Sequence, residues 1–375
     1  MTAPSPGPAQ SGPALPQPAA LPHGALFVWR VLALAVMVPV ASLSIFRAVP
    51  GQWPTPVVQL LSFTPWLVVP AVLGLGLALA GRRTWITVVA ALLLSAQLFW
   101  LFPLDAGRAI PDASRPSTEL TAMNINSQFG EADAAEVVRL VRENGVELLA
   151  VQEHTQGFED RLAAEGLGSL LPNRVSSPTD DGAGSALYAA YPMEPVGLLP
   201  DTPFQMPTVR LTVQAAGRTS SVEVTNVHAL PPVGVRIAQW RSDLAALGRL
   251  AQDGSVAQEG RVAEDGSVSR GGTTVPDGAP AVNRLLIGDF NATYDHSEFR
   301  ALLDGGPGAK LVDVGTAAGR RLTPTWPMEG VPLPGIAIDH LVTSPQIVNS
   351  GYAAHRVPGT DHAAVLATLG IPAGD

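Results

Sequence analysis

The residues most able to do chemistry stand at the ends of apolar runs. They are Asn124 in AMNIN, Glu153 in LLAVQEH, His228 in TNVHAL, Asp289 and Asn291 in LLIGDFN, Asp339 in IAIDHL, and Asp361-His362 in GTDHAA. An apolar run that closes on a carboxylate or imidazole is what a strand looks like when it delivers that group to the rim of a sheet. Several carboxylates gathered there without a cation would repel one another and raise each other's pKa, so the set implies a metal. Taken singly, each residue has an ordinary reading: Asn124 in a turn, Glu153 as a helix cap, Gly288-Asp-Phe-Asn291 as a polar turn. Their joint occurrence carries the argument.

Other chemistries are excluded. The chain has no Cys, which removes disulfides, thiolate catalysis and Cys-ligated zinc. No His-x-His occurs, against a His-rich dizinc site, and neither Gly-x-Ser-x-Gly nor a Walker loop is present.

The elements that must position these groups occupy only part of the chain. Of 375 residues only 15% are charged, low for a soluble protein, which suggests a membrane part fused to an ordinary one. Residues 1–110 carry Arg30, Arg47, Arg82, Arg83 and Arg108 against Asp105 alone. The remainder is acidic, at about −13, and lacks the basic face that tight duplex binding needs. Residues 1–25, rich in Pro and Ala, read as a disordered tail. Three apolar blocks follow within residues 26–104: Leu26–Phe46, Val57–Ala80 and Thr84–Leu104. Each is long enough to cross a hydrocarbon core of about 30 Å, and Pro39, Pro65 and Pro70 are expected to kink them. Trp53, Trp85 and Trp100 lie near block ends, where aromatic belts form. If the compact Arg82-Arg83 hairpin is cytoplasmic, everything after Leu104 is extracytoplasmic.

Residues 105–117 read as a linker, and residues 118–370 as one domain of alternating strands and helices. Strands are expected at Glu119–Asn126, Val146–Gln152, Ser185–Tyr191, Thr208–Ala215, Ser221–His228, Arg284–Gly288 and Ile338–Thr343. Helices are expected at Asp133–Glu143, Val235–Leu250 and Ser297–Leu303. The stretch Ala251–Asn283, with DGSV twice, reads as a surface insertion.

In order, LLIGDFNAT, Thr325-Trp326-Pro327, IDHL and GTDHAAV resemble the endonuclease/exonuclease/phosphatase superfamily, from about Leu120 to about Leu369. The resemblance implies an α/β fold, a four-layer sandwich of two packed mixed β-sheets flanked by helices, here preceded by three transmembrane helices. It also implies that Glu153 is the main ligand of Mg²⁺ (or Mn²⁺), with Asn124 beside it and Asp361 as a further metal-side carboxylate. By the same resemblance Asp289 activates the attacking water, Asn291 holds a phosphoryl oxygen, Asp339 supports a phosphate-stabilising His362, and His228 donates to the phosphate or leaving oxygen. Arg210, Trp326 and Tyr188 are candidate substrate contacts. Ala189-Ala190 departs from the Ser-Arg often found in the family, removing a polar contact near the site.

The expected activity is metal-dependent phosphoester hydrolysis beside a bilayer, with a nucleic acid or a phospholipid as substrate. No protein partner is inferable. The competing expectation is a membrane sensor whose C-terminal domain binds without turnover.

Overall fold

The computed structural model describes residues 23–103, 107, 109–110, 116–215, 218–253, 282–305, 310–330 and 334–373. The tail at residues 1–22 and most of the Ala251–Asn283 insertion lie outside the described residues, as do residues 105, 106, 108 and 111–115 of the expected linker.

Period-two alternation builds two six-stranded sheets. One contains β1 (Ser117–Asn126), β2 (Leu148–Gln152), β3 (Asn173–Ser177), β4 (Ser185–Ala189), β11 (Val348–Arg356) and β12 (Ala363–Pro372), in the order β11-β12-β1-β2-β4-β3. The other contains β5 (Met193–Leu198), β6 (Pro207–Ala215), β7 (Arg218–His228), β8 (Arg284–Asp289), β9 (Val312–Asp313) and β10 (Asp339–Thr343), in the order β5-β6-β7-β8-β10-β9. Both are mixed: β1 runs parallel to β2 and β7 to β8, while the other pairings are antiparallel.

The inner faces meet in one apolar core that includes Leu120, Leu148, Val209, Val224, Ile287 and Leu369. Helices α5 (Ala134–Glu143) and α6 (Gln156–Ala164) cover the outside of the first sheet through Val137, Val141, Phe158 and Leu162. Helices α8 (Ile237–Asp253) and α9 (Ser297–Leu303) cover the second through Trp240, Leu247 and Phe299. Each large side chain so buried contributes about 1.5–3 kcal/mol.

Strand parity then places the chemistry. Leu120 and Ala122 of β1 face the inner core, so Asn124 and Asn126 continue that face to the strand end. Leu148 and Ala150 lead to Gln152, Val222 and Val224 lead to Asn226 and His228, and Leu285 and Ile287 lead to Asp289. Because β1/β2 and β7/β8 are parallel pairs, their C-terminal ends open on one rim, and antiparallel β10 brings Asp339 opposite Asp289. Gly288 is required for this approach: at φ +153° any Cβ would sit 1.9 Å from the Val227 carbonyl oxygen. Gly288→Ala is therefore expected to lower stability by more than about 1 kcal/mol in thermal unfolding of the full chain.

The N-terminal part forms α1 (His23–Ala48), α2 (Thr55–Leu61), α3 (Val68–Ala80) and α4 (Thr84–Leu101). Gly24–Ala48 and Thr84–Leu101 are each long and apolar enough to cross a membrane, whereas Thr55–Leu61 and Thr64–Ala80 meet at a 70° bend. The block Val57–Ala80, expected as one span, is thus a bent pair that is long and apolar enough to span when its two helices are taken together. Pro65 cannot donate to the helix ladder, and α2 turns aside to bury Val58 in the α8/α9 core. Helix α1 runs unbroken through Pro39.

The helices and the sandwich are joined by buried polar contacts. Asp295 pairs with Arg47 at 2.7 Å and also with Arg321, and His296 Nε2 donates to the Val58 carbonyl at 2.9 Å. Arg300 donates to the Arg47 carbonyl at 3.1 Å and Arg241 to that of Trp53 at 2.5 Å. At the far end, Arg30 Nε donates to the Gly81 carbonyl at 2.8 Å, placing Arg30 beside the Arg82-Arg83 turn.

Strands β3, β5, β9, β11 and β12 and helix α6 extend beyond the elements expected from sequence. The outer strands β3, β5 and β11 are half-exposed and do not alternate cleanly. Strand β12 is mostly buried on both faces, so it too lacks alternation. Helix α8 starts at Ile237 rather than Val235, which lies in a preceding 3₁₀ turn and is 95% exposed.

Candidate active site

The rim gathers Glu153, His228, Asp289, Asp339 and His362 from five segments of chain. His362 Nδ1 lies 3.0 Å from Asp339 Oδ2, and its Nε2 lies 3.8 Å from Asp289 Oδ2 and 3.9 Å from Asp361 Oδ1. His228 Nε2 lies 3.8 Å from Glu153 Oε1 and 4.0 Å from Asp289 Oδ2. Asp289, Asp339 and His362 each offer a ligand atom, all within 4.8 Å of one another.

Hydrogen bonds hold these groups in place. Asn126 Nδ2 donates to Glu153 Oε1 (3.2 Å) and Asp289 Oδ2 (3.1 Å), and the Phe129 N–H donates to Glu153 Oε2 (2.9 Å). The Ser127 hydroxyl bridges the carbonyls of Gln152 and Glu153, and the Thr325 hydroxyl receives the N–H groups of Ile338 and Asp339. Asn291 donates its N–H to Asp289 Oδ1 at 2.8 Å and its side-chain amide to the Ala229 carbonyl at 2.9 Å. Trp326 Nε1 donates to Asp361 Oδ2 at 2.8 Å. Glu153, Asn291, Gln128 and Phe129 all have φ between +48° and +54°, an unfavourable conformation for non-glycine residues that concentrates at functional sites.

Beneath the rim, Gln152 donates to the side-chain oxygens of Asn124 (2.7 Å) and Asn226 (2.6 Å), which ties the two sheets together. Asn124 is fully buried and donates to Asp339 Oδ1 at 3.3 Å. The amide beside Glu153 therefore belongs to Asn126, one pleat further along the same face. Asn126, Gln152 and Asn226 were not among the sequence candidates, although each is a polar residue on its strand's apolar parity. Phe129 and Phe204 also escaped. They converge over Gly182, with Phe204 stacked on His228 at 4.3 Å, and nothing in their loop sequences marks them.

Of the proposed substrate contacts, Trp326 is at the rim. Arg210 instead pairs with Glu223, five residues back along β7 from His228. Tyr188 is buried under the first sheet beside His154. His340 points away from the site, between Asp313 and the Ala292 carbonyl.

Burial, then the nearby Asp339 carboxylate, pushes Asp289 up to about 7. Burial pushes His228 down to about 3, reinforced by the positive charge of His362, so this imidazole is neutral. Burial opposes the charge on His362, but Asp339, Asp289 and Asp361 outweigh it and hold its pKa up to about 10. Burial also raises Glu153. With His362 protonated and turned to Asp339, it is an ion-pair partner rather than a metal ligand.

The His340–Asp313 pair supplies a pH test. Although burial disfavours both charges, each partner stabilises the other, raising His340 and lowering Asp313. The His340 contribution is complete below the ordinary histidine value near 6.5 and is lost as pH rises through its folded pKa. Melting of the full chain should fall as pH rises above that ordinary value, and His340→Asn should flatten the dependence.

The family model Endonuclease/Exonuclease/phosphatase family matches residues 122–362. The chain belongs to this family. Its buried Asp/His cluster lies where the two sheets of the endonuclease/exonuclease/phosphatase fold open on their shared rim. Similar solved structures include D. rerio TDP2 complexed with single-strand DNA product, at 13% identity over 67% of this chain and 99% of that chain, TM-score 0.48. An AP endonuclease from Archaeoglobus fulgidus aligns at 14% identity over 66% of this chain and 98% of that one, TM-score 0.46. An endonuclease/exonuclease/phosphatase from Beutenbergia cavernae aligns at 15% identity over 68% and 72%, TM-score 0.43. No curated protein matches the chain.

Proposed function

We propose that the protein is a membrane-anchored, divalent-metal-dependent phosphodiesterase, with residues 26–104 as anchor and 118–370 as catalytic part. The observation that carries this reading is the meeting of Glu153, Asp289, Asp339, His362 and His228 at one rim. The donor set fits a hard cation. Among the described residues, the ion-pair partners of Glu153, Asp289, Asp339 and Asp361 are all histidines, which leaves negative charge in excess. Glu153 and Asp361 would hold Mg²⁺ or Mn²⁺, with Asn126 orienting Glu153 through its Nδ2 and Asn124 supporting Asp339 instead of ligating. A cation bound there supplies positive charge to the phosphoryl oxygens.

The chain's own groups do the rest. Asp289, with a pKa near working pH, takes the proton of a water placed in line with the scissile bond. Asn291 holds a phosphoryl oxygen. His362, kept cationic by Asp339, stabilises charge growing on the phosphate. His228, neutral, donates a hydrogen bond to the leaving oxygen, which takes its proton from solvent. Phe129 and Phe204, which converge over Gly182, and Trp326, held against Asp361, supply the aromatic contacts to the departing group.

A phospholipid substrate is the second reading, favoured by one contact. The loop after His228 leans on α2, where Thr55 donates to the Gly234 carbonyl and Gln59 to that of Pro232, and it exposes Val233 and Val235. For orientation, Arg30, Arg82 and Arg83 at the end remote from the catalytic part support a cytoplasmic hairpin and an extracytoplasmic active site. The test is a panel of nucleic acid, phospholipid and small phosphodiester and phosphomonoester substrates given to the full chain with Mg²⁺. Diester turnover that stops with chelator supports the proposal, and absence of turnover on every diester refutes it.

A further inference from the structure

Where the spans meet the sandwich there is a cavity of about 280 Å³, on the face of β10 away from the catalytic rim. Its membrane-side wall is apolar: Trp66, Val69 and Leu101, the first two 50% and 61% exposed. Its opposite wall is polar and carries Arg320, Arg321 and Tyr352 together with the carboxylates of Asp295 and Asp313, the latter paired with His340. Arg321 is 7% exposed, donates to the Trp100 carbonyl at 2.8 Å and pairs with Asp295, yet its Nε has no hydrogen-bond partner among the described residues. A buried guanidinium N–H left unpaired costs about 1–3 kcal/mol, so it marks a missing acceptor. Asp295 cannot supply it, since that single carboxylate already faces both Arg47 and Arg321, which leaves net positive charge beside the cavity. Exposed Arg320 adds to it.

We infer that this cavity binds one anionic phospholipid, the phosphate accepting from Arg321 Nε with Arg320 nearby and the acyl chains leaving along Val69 and Trp66. The occupant follows from position and charge. A cavity whose apolar wall is built from membrane-spanning helices opens toward lipid, and the opposite wall presents cationic donors at headgroup depth. Its volume lies just below that of drug-sized ligand sites, about 300–1,000 Å³, and suits a headgroup and its glyceryl end while the chains remain in the bilayer. The site is separate from the catalytic rim and is independent of the phosphodiesterase reading.

The test is native mass spectrometry of the full chain in detergent with added dioleoyl phosphatidylglycerol, dioleoyl phosphatidylcholine or inorganic phosphate. One phosphatidylglycerol should be retained per chain, about tenfold more than phosphatidylcholine. Arg320→Glu, which leaves the Asp295 pairs intact, and Val69→Trp, which fills the cavity, should each lower retention about tenfold with unchanged thermal unfolding. Equal retention of phosphatidylcholine, or full retention in both variants, would overturn the inference. Displacement of the lipid by inorganic phosphate would overturn it too, showing a soluble-anion site.

Discussion

Asp289→Ala is expected to lower kcat about 10²–10³-fold, roughly 3–4 kcal/mol of transition-state stabilisation, with little change in KM. Its carboxylate receives Asn126 and Asn291 and faces both His228 and His362, so it stands where the attacking water must be oriented. His362→Ala should cost a similar factor. The double variant should lose much less than the product of the two, because residues that act as a unit are not additive. Steady-state kinetics on the best diester of the panel, with circular dichroism to verify folding, checks this. Independent, multiplicative losses would mean that the two residues do not share a reacting phosphate.

The second large effect lies far from the chemistry. Asp295→Ala leaves Arg47 and Arg321, each 7% exposed, without their shared counter-ion, and should destabilise the full chain by about 3–5 kcal/mol. An exposed pair would cost under about 1 kcal/mol. Only five residues separate Asp295 from Asp289 and three from Asn291, so the loop that follows the candidate base also anchors the sandwich to the N-terminal helices. Thermal unfolding in detergent reads the loss. A change below about 1 kcal/mol would show that the junction is solvated and loosely held.

The legibility of the molecule in its sequence followed burial. Central strands such as β7 alternate because one face meets the core and the other does not, and there the expected elements and the rim residues coincide with the structure. The same parity rule, carried two residues past Asn124 and applied within VTNVH, picks out Asn126 and Asn226. AMNIN and TNVHAL each hold a second polar residue on that parity, and an uncharged amide at a strand end reads equally well as an ordinary turn. Strands β3 and β5 sit at sheet edges, where half-exposed backbone needs no alternation. The bend after α2 is hidden for another reason: Val57–Ala80 is uncharged and mostly apolar throughout, whether a residue is exposed, as at Val69, or packed, as at Val58, into the α8/α9 core. Arg210 and Tyr188 were placed by motif position alone, and pairing with Glu223 and His154 accounts for them.

In the proposed phosphodiesterase, Glu153 would hold the divalent cation on which turnover depends. The most direct measurement is turnover by the full chain as a function of free Mg²⁺, wild type against Glu153→Gln. Turnover should vanish in chelator and return with Mg²⁺, and Glu153→Gln should need at least about tenfold more Mg²⁺ for half-maximal rate. Turnover that persists in chelator, or an unchanged Mg²⁺ requirement in the variant, would contradict it.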